Sequence, residues 1–192
     1  MNNSFLISSY GRSGTKFLSN LMNQSKKWTV LHEPRGVLEE KSFRGNKSLP
    51  KKTLKSFQKD NYGEVNSYCR FYFDDIPSSK KGVIFRDPKE IVISAYHRKD
   101  LNQTLNIIDD IHFFWETFKE KVKRDESIYV IDFNRMVNDK EYLKQILKHF
   151  GIDDIVDINM NKVNHTRQKK IQTFDELPEE IKNKFNNLKW SQ

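Results

Sequence analysis

The first two dozen residues join a short apolar run, a loop of small and basic residues, and an amphipathic stretch. Phe5, Leu6 and Ile7 predict a buried strand, and the loop YGRSGTK follows at residues 10–16. Beyond the loop, apolar side chains recur at helical spacing, namely Phe17, Leu18, Leu21 and Met22. Glycines in such a loop allow successive amide groups to face one anion, and the helix N-terminus adds partial positive charge. The segment therefore predicts a site for a phosphate or a sulfate group.

The loop differs from the GxxxxGK[ST] loop that binds nucleoside triphosphates. Gly11 and Lys16 are too close together, and Thr15 stands where that motif has its second glycine. Phe17 follows Lys16 at the position where a magnesium-binding hydroxyl is needed. A metal-assisted ATPase is therefore disfavoured.

The length and composition predict one domain, residues 1–192, with a single core. The lone Cys69 excludes an intramolecular disulfide and a cysteine metal cluster. No segment reaches the roughly 20 apolar residues of a membrane span, and the first strand leaves no room for a signal peptide. We therefore expect a cytoplasmic protein without a membrane partner. The net charge of +8 suits nucleic acid, an anionic surface or a polyanionic small ligand, and does not choose among them.

Strand and helix patterns alternate along the rest of the chain. Strands are predicted at residues 28–31, 67–73, 82–86 and 128–131, and helices from Pro88, over 107–122, over 142–150 and from about Pro178. Asp87 is the expected N-cap of the helix that begins at Pro88. Gly151 is expected to end the helix over residues 142–150. Residues 36–65 are less regular, with one short helix near 50–60, and are a candidate acceptor region. The alternation predicts a three-layer α/β fold, with a mainly parallel sheet flanked by helices.

Three polar side chains follow predicted strands and should meet at one sheet edge. They are Arg12, Glu33 and Arg86, and ligands of such folds bind where strands end. Pro34 favours an extended backbone at Glu33. His32 is a reserve candidate for a base, but adjacent side chains of an extended chain point in opposite directions.

A second anion site is predicted at the segment RDPKEIVIS, residues 86–94. Ser94 lies eight residues after Arg86, and the intervening helix returns it to the face of the strand end after a rise of roughly 10 Å. A guanidinium and a hydroxyl would then contact one phosphate group.

These motifs resemble those of sulfotransferases that use 3′-phosphoadenosine 5′-phosphosulfate (PAPS). Residues 12–16, RSGTK, resemble the family's first motif, and Arg86, Pro88 and Ser94 match its RxPxxxxxS motif. The later segments YVIDF, residues 129–133, and HFG, residues 149–151, are also similar. An arginine at position 12 and an aspartate at position 87 are similar to the carbohydrate and tyrosylprotein branch of the family. Lys16 differs from the family, which usually has Thr or Ser at this position. The resemblance implies a fold like that of P-loop nucleoside triphosphatases.

The resemblance also implies a role for each site residue. Arg12 would stabilise charge on the leaving 5′-phosphate, and Glu33 would take the acceptor proton. The donor-binding residues implied are Arg12, Ser13, Gly14, Thr15 and Lys16 in the loop, Arg86 and Ser94 at the 3′-phosphate, and Arg167 and Lys169 in a late basic segment. PAP is the product that leaves, and no metal is implied.

The expected acceptor is a hydroxyl of a carbohydrate or another polar molecule, which the sequence does not identify. A nucleotide or sugar kinase of the same fold is one alternative. A basic nucleic-acid-binding module is another, although no aromatic and basic recognition motif supports specific nucleic-acid binding. A third is a protein that binds PAP without transferring sulfate. The oligomeric state is left open.

Overall fold

The fold is built on a five-stranded sheet whose strand pairings are all parallel. It is taken from a computed structural model that describes residues 3–34, 51–155, 157–158, 160 and 173–191. The strands are β1 (Ser4–Ser9), β2 (Thr29–His32), β3 (Tyr62–Val65), β4 (Lys80–Phe85) and β5 (Ile128–Asp132). They lie in the order β2-β3-β1-β4-β5, which places β1 at the centre.

Helices connect the strands. They are α1 (Thr15–Met22), α2 (Lys51–Ser56), α3 (Pro88–Tyr96), α4 (Leu101–Arg124), α5 (Phe133–Asn138), α6 (Lys140–His149) and α7 (Glu179–Asn186), with 3₁₀ helices at Tyr68–Tyr72 and Phe174–Glu176. The Asp87 carboxylate caps α3 by accepting from the Lys89 amide at 2.7 Å, as predicted. Gly151 follows α6 with φ of 81°, the left-handed conformation expected of a glycine there. Within the described ranges, no helix combines the length and apolar character needed to cross a membrane.

Helices cover both faces of the sheet. Successive side chains of β1 point to opposite faces, so they enter two separate cores. Phe5 and Ile7 are buried in a core with residues of α1 and α6, such as Leu18 and Ile146. Leu6 is buried in a second core, which contains residues of α4 and α7. The three-layer α/β prediction is confirmed, and the sheet is parallel throughout.

One predicted strand is wrong. The aromatic content of residues 67–73 predicts a strand, but Tyr68–Tyr72 is a 3₁₀ helix, and the strand in this part of the chain is Tyr62–Val65, which pairs with β1. Gly63 lies inside that strand because the Phe5 ring packs over it: a Cβ at position 63 would stand 2.1 Å from Phe5 Cζ. In the sequence, Gly63 suggests an interruption of regular structure. In the fold it leaves room for the Phe5 ring against β3. The short helix expected near 50–60 is present as α2.

Candidate functional site

Four strands present a polar segment at the same edge of the sheet. The loop at residues 10–14 follows β1, Glu33 follows β2, Ser67 follows β3, and Arg86 follows β4. Because the strands are parallel neighbours, these four segments lie side by side at their carboxyl ends. The predicted convergence of Arg12, Glu33 and Arg86 on one edge agrees with this topology.

The loop after β1 has the backbone of an anion cradle. Arg12 and Gly14 have φ of 74° and 76°, so the backbone of this turn alternates between conformations as an anion-binding nest does. The Ser13 hydroxyl is buried and has no hydrogen-bond partner in the part of the chain that the structure describes. A Cβ at Gly14 would lie 2.9 Å from Phe133 Cε2, and the φ of 76° disfavours a side chain, so a substitution at this position would be strained.

Arg12 and Ser94 are in direct contact across the edge. Nε and Nη2 of Arg12 each donate to Ser94 Oγ at 3.2 Å. Arg86 Nη1 donates to the Arg12 carbonyl oxygen at 2.6 Å, and its Nε donates to Glu90 Oε2 at 2.9 Å. The Arg86 guanidinium also stacks on Phe133, 4.3 Å from the ring centroid. The structure thus brings the two predicted anion motifs together, with Arg12 rather than Arg86 on the serine.

Arg98 is a third guanidinium near this contact. The pKa of Arg12 is lowered by burial, then by the positive charges of Arg98 and Arg86, and raised by Glu33. Arg98 lies four residues after Ser94, in the turn that follows α3, where its amide donates to the Ala95 carbonyl at 2.9 Å. The sequence interpretation missed Arg98, although its spacing of four residues from Ser94 could have indicated it.

Glu33 and His32 lie closer together than an extended chain would place them. Glu33 has φ of 44°, so the extended backbone expected before Pro34 is wrong. His32 Nε2 is 3.8 Å from Glu33 Oε2, which contradicts the expectation that the two side chains point apart. His32 Nε2 also makes a 3.0 Å hydrogen bond with Thr15 Oγ1. Burial lowers the pKa of His32, and Lys16 acts in the same direction against the opposing effect of Glu33.

The remaining site predictions fall into two groups. Lys16 is exposed at the start of α1, beside the loop. Arg167 and Lys169 lie outside the described residues. Among the described residues, no three His, Cys, Asp or Glu side chains are grouped as metal ligands would be.

Comparison with solved structures finds the same fold in sulfotransferases. A sulfotransferase from Alicyclobacillus acidocaldarius superposes with a TM-score of 0.55 at 15% identity, over 83% of this chain and 85% of that one. Mouse sulfotransferase SULT7A1 in complex with PAP gives 0.51 at 19% identity, over 84% of this chain and 63% of that one. No family model and no curated protein matches the sequence. The chain therefore has the fold of these sulfotransferases, a parallel five-stranded sheet with helices on both faces.

Proposed function

We propose that this protein is a sulfotransferase that moves the sulfuryl group of PAPS to a hydroxyl of an acceptor and releases PAP. One observation carries the proposal: the anion loop, Arg12, Ser94 and Arg86 meet at the strand edge where Glu33 also lies. Such an edge combines positive charge for a leaving phosphate with a carboxylate that can accept a proton. The fold shared with sulfotransferases, one of them solved with PAP, supports the same assignment.

The residues present fit a donor with two separate phosphate groups. The buried Ser13 hydroxyl and the amide groups of residues 12–15 offer donors to a 5′-phosphosulfate. Arg86 and Ser94 would bind the 3′-phosphate, and Arg98 adds positive charge on the same side. In this arrangement Arg12 exchanges its contact with Ser94 for the leaving phosphate when the donor binds.

The proposed reaction is an in-line displacement at sulfur. The acceptor oxygen attacks the sulfuryl group while Glu33 takes the hydroxyl proton. The bond between sulfur and the bridging oxygen breaks, and the electron pair stays on the 5′-phosphate of PAP, where Arg12 stabilises the charge. Glu33 is a better candidate base than His32, since His32 Nε2 is engaged by Thr15.

The acceptor is proposed to be a carbohydrate or another polar hydroxyl compound. Glu33 is partly exposed, with 22% of its side-chain surface accessible, so an acceptor can approach its carboxylate. Residues 36–65, proposed as the acceptor region, are described only from Lys51 onward. A cytoplasmic location, a single domain, and the absence of membrane and specific nucleic-acid partners stay predictions.

Thermal unfolding with four ligands tests the donor. PAP and PAPS should raise the melting temperature of the wild type, whereas ATP and 5′-AMP should raise it less, because a ligand that binds only the native state stabilises it. Arg86→Ala should weaken PAP binding about 10- to 100-fold by calorimetry, as expected for loss of a charged hydrogen bond. Arg124→Ala is the matched control, since Arg124 ends α4 beside the opposite edge of the sheet and is 81% exposed.

Transfer of radiolabelled sulfate from PAPS to a panel of sugars, phenols and alcohols then tests catalysis, with Glu33→Gln as the inactive control. No response to PAP or PAPS would refute the proposal. Magnesium-dependent turnover of ATP without PAP binding would establish a kinase instead.

A further inference from the structure

Among the residues that the structure describes, hydrogen bonds reach the Glu33 carboxylate at one oxygen. Its Oε1 accepts two hydrogen bonds from the same residue, one from the Ser67 amide at 3.3 Å and one from the Ser67 hydroxyl. The other oxygen, Oε2, faces His32 Nε2 at 3.8 Å, beyond hydrogen-bond distance. The two oxygens are therefore unequal: Oε1 is occupied by Ser67, and Oε2 is the oxygen left to receive a proton.

Ser67 is itself fixed by its neighbours. The Asn66 side chain accepts from the Tyr68 amide at 3.0 Å, across Ser67, and Arg70 Nη1 donates to the Ser67 carbonyl at 2.7 Å. Asn66 Nδ2 donates in turn to Glu64 Oε2 at 3.0 Å, and Glu64 is fully buried in β3. A buried carboxylate is costly unless it is hydrogen-bonded, so Glu64 secures Asn66 and the turn that carries Ser67.

The backbone at Glu33 explains why such a support is needed. A φ of 44° is unfavourable for a residue with a Cβ and persists only where the surroundings enforce it. Both hydrogen bonds from Ser67 join the end of β2 to the end of β3, and so hold Glu33 where the strand has already ended.

We infer that Ser67 is the positioning residue for the Glu33 carboxylate, which it orients so that Oε2 faces the acceptor hydroxyl. The inference rests on the proposed sulfotransferase function. Ser67 transfers no proton and touches no reacting atom. Its hydroxyl fixes the angle at which Glu33 meets the acceptor, and a displacement of about 1 Å in such a group can reduce a rate by about 100-fold.

Steady-state kinetics of serine variants test the inference. Ser67→Ala should lower kcat about 10- to 100-fold with PAPS and the best acceptor of the panel, while the KM for PAPS and the Kd for PAP change less than about twofold. Ser67→Thr keeps the hydroxyl and should restore kcat to within about threefold of the wild type. Ser127→Ala is the matched control: Ser127 also donates its amide and hydroxyl to one carboxylate oxygen, Asp125 Oδ1, but it precedes β5 at the opposite edge.

The outcomes separate this inference from the proposed function. A wild type that binds no PAP, or binds PAP and transfers no sulfate, overturns the proposed function and the inference with it. An active wild type whose Ser67→Ala variant keeps its kcat, or loses PAP affinity in proportion to kcat, overturns the inference alone. Failure of Ser67→Thr to restore kcat does the same. If Ser67→Ala does not fold, Ser67→Cys, which keeps the volume with a weak donor, is held to the same expectations as Ser67→Ala.

Discussion

At the scale of single residues, unusual backbone conformations coincide with the candidate site. Among the described non-glycine residues, positive φ angles occur at Arg12, Glu33 and Asn61. The first two were predicted to act in catalysis from sequence motifs alone. Strain of this kind is retained where the surrounding structure enforces it, and it often accompanies function. The sequence motifs select both residues as candidates for the site, but they do not predict the backbone of Glu33, because Pro34 suggests an extended conformation there.

Arg98 and Ser67 were not predicted, and the reasons differ. Arg98 had only its spacing from Ser94 as a signal, and an exposed arginine after a helix is ordinary. Ser67 was assigned to a strand, so its position at the start of a 3₁₀ helix beside Glu33 was hidden. Contacts between separate segments depend on strand order and register, which a local pattern does not contain.

Removal of Arg98 should weaken binding of the 3′-phosphate. Arg98→Ala is expected to reduce PAP affinity about threefold to fivefold, since exposed charge contacts contribute little individually, and to leave 5′-AMP affinity unchanged. Its effect should fade at high salt because the contact is screened. Isothermal titration at two salt concentrations measures both. Lys99→Ala removes the same charge from the next residue. Equal losses of PAP affinity in the two variants would mean that Arg98 acts through the overall positive charge of the region and makes no specific contact with the 3′-phosphate.

At the scale of elements, four of the five strands of the sheet were predicted, and β3 was not. β1, β4 and β5 have continuous apolar runs, and their positions match the prediction to within two or three residues at each end. β3 contains Gly63 and the buried Glu64, two residues that argue against a strand when read locally. The long-range contact of Gly63 with Phe5 explains the first, and the hydrogen bonds of Glu64 with Tyr62 and Asn66 explain the second.

Gly63→Ala should therefore be destabilising. The added methyl group would meet the Phe5 ring at 2.1 Å, which forces the ring or the strand to move. Overpacking of this kind costs about 1–3 kcal/mol, measured as the free energy of unfolding in urea. Gly11→Ala is the control, because nothing lies within 4 Å of a Cβ there. A Gly63→Ala variant as stable as Gly11→Ala would show that Phe5 moves without cost.

At the scale of the whole molecule, the parallel order β2-β3-β1-β4-β5 gathers the site. It places the ends of β2 and β3 beside the central loop, and the end of β4 on its other side. The α/β class followed from the alternation of elements, but the order did not, and the order is what sets Ser67 next to Glu33. The net charge of +8 gives the molecule a field that attracts anionic ligands, consistent with a donor that carries several negative charges.

Stability of the whole chain should rise with pH up to about 6.5. Burial lowers the pKa of His32 and of His149 from the ordinary 6.5, and the charge of Lys80 adds to the effect at His149. Below pH 6.5 the unfolded chain therefore binds more protons than the folded one, so the free energy of unfolding falls as the pH falls. Acidic groups with lowered pKa values, such as Asp125, also stabilise the fold, but that contribution is lost only as the pH falls below about 4.

Urea unfolding at pH 5.0, 6.0 and 7.0 measures this dependence. We expect the wild type to be least stable at pH 5.0, and the double variant His32→Gln and His149→Gln to lose most of the slope. Stability that is constant across the three values, or that rises toward pH 5.0, would mean that both histidines become protonated in the fold without a penalty. The two single variants then show how much of the pH dependence each histidine contributes. His32 bonds to the loop residue Thr15 at the candidate site, whereas His149 stacks on Tyr129 at the opposite edge of the sheet, with ring centroids 4.0 Å apart. A PAP-dependent change of slope that disappears only in His32→Gln would connect the titration to the candidate site.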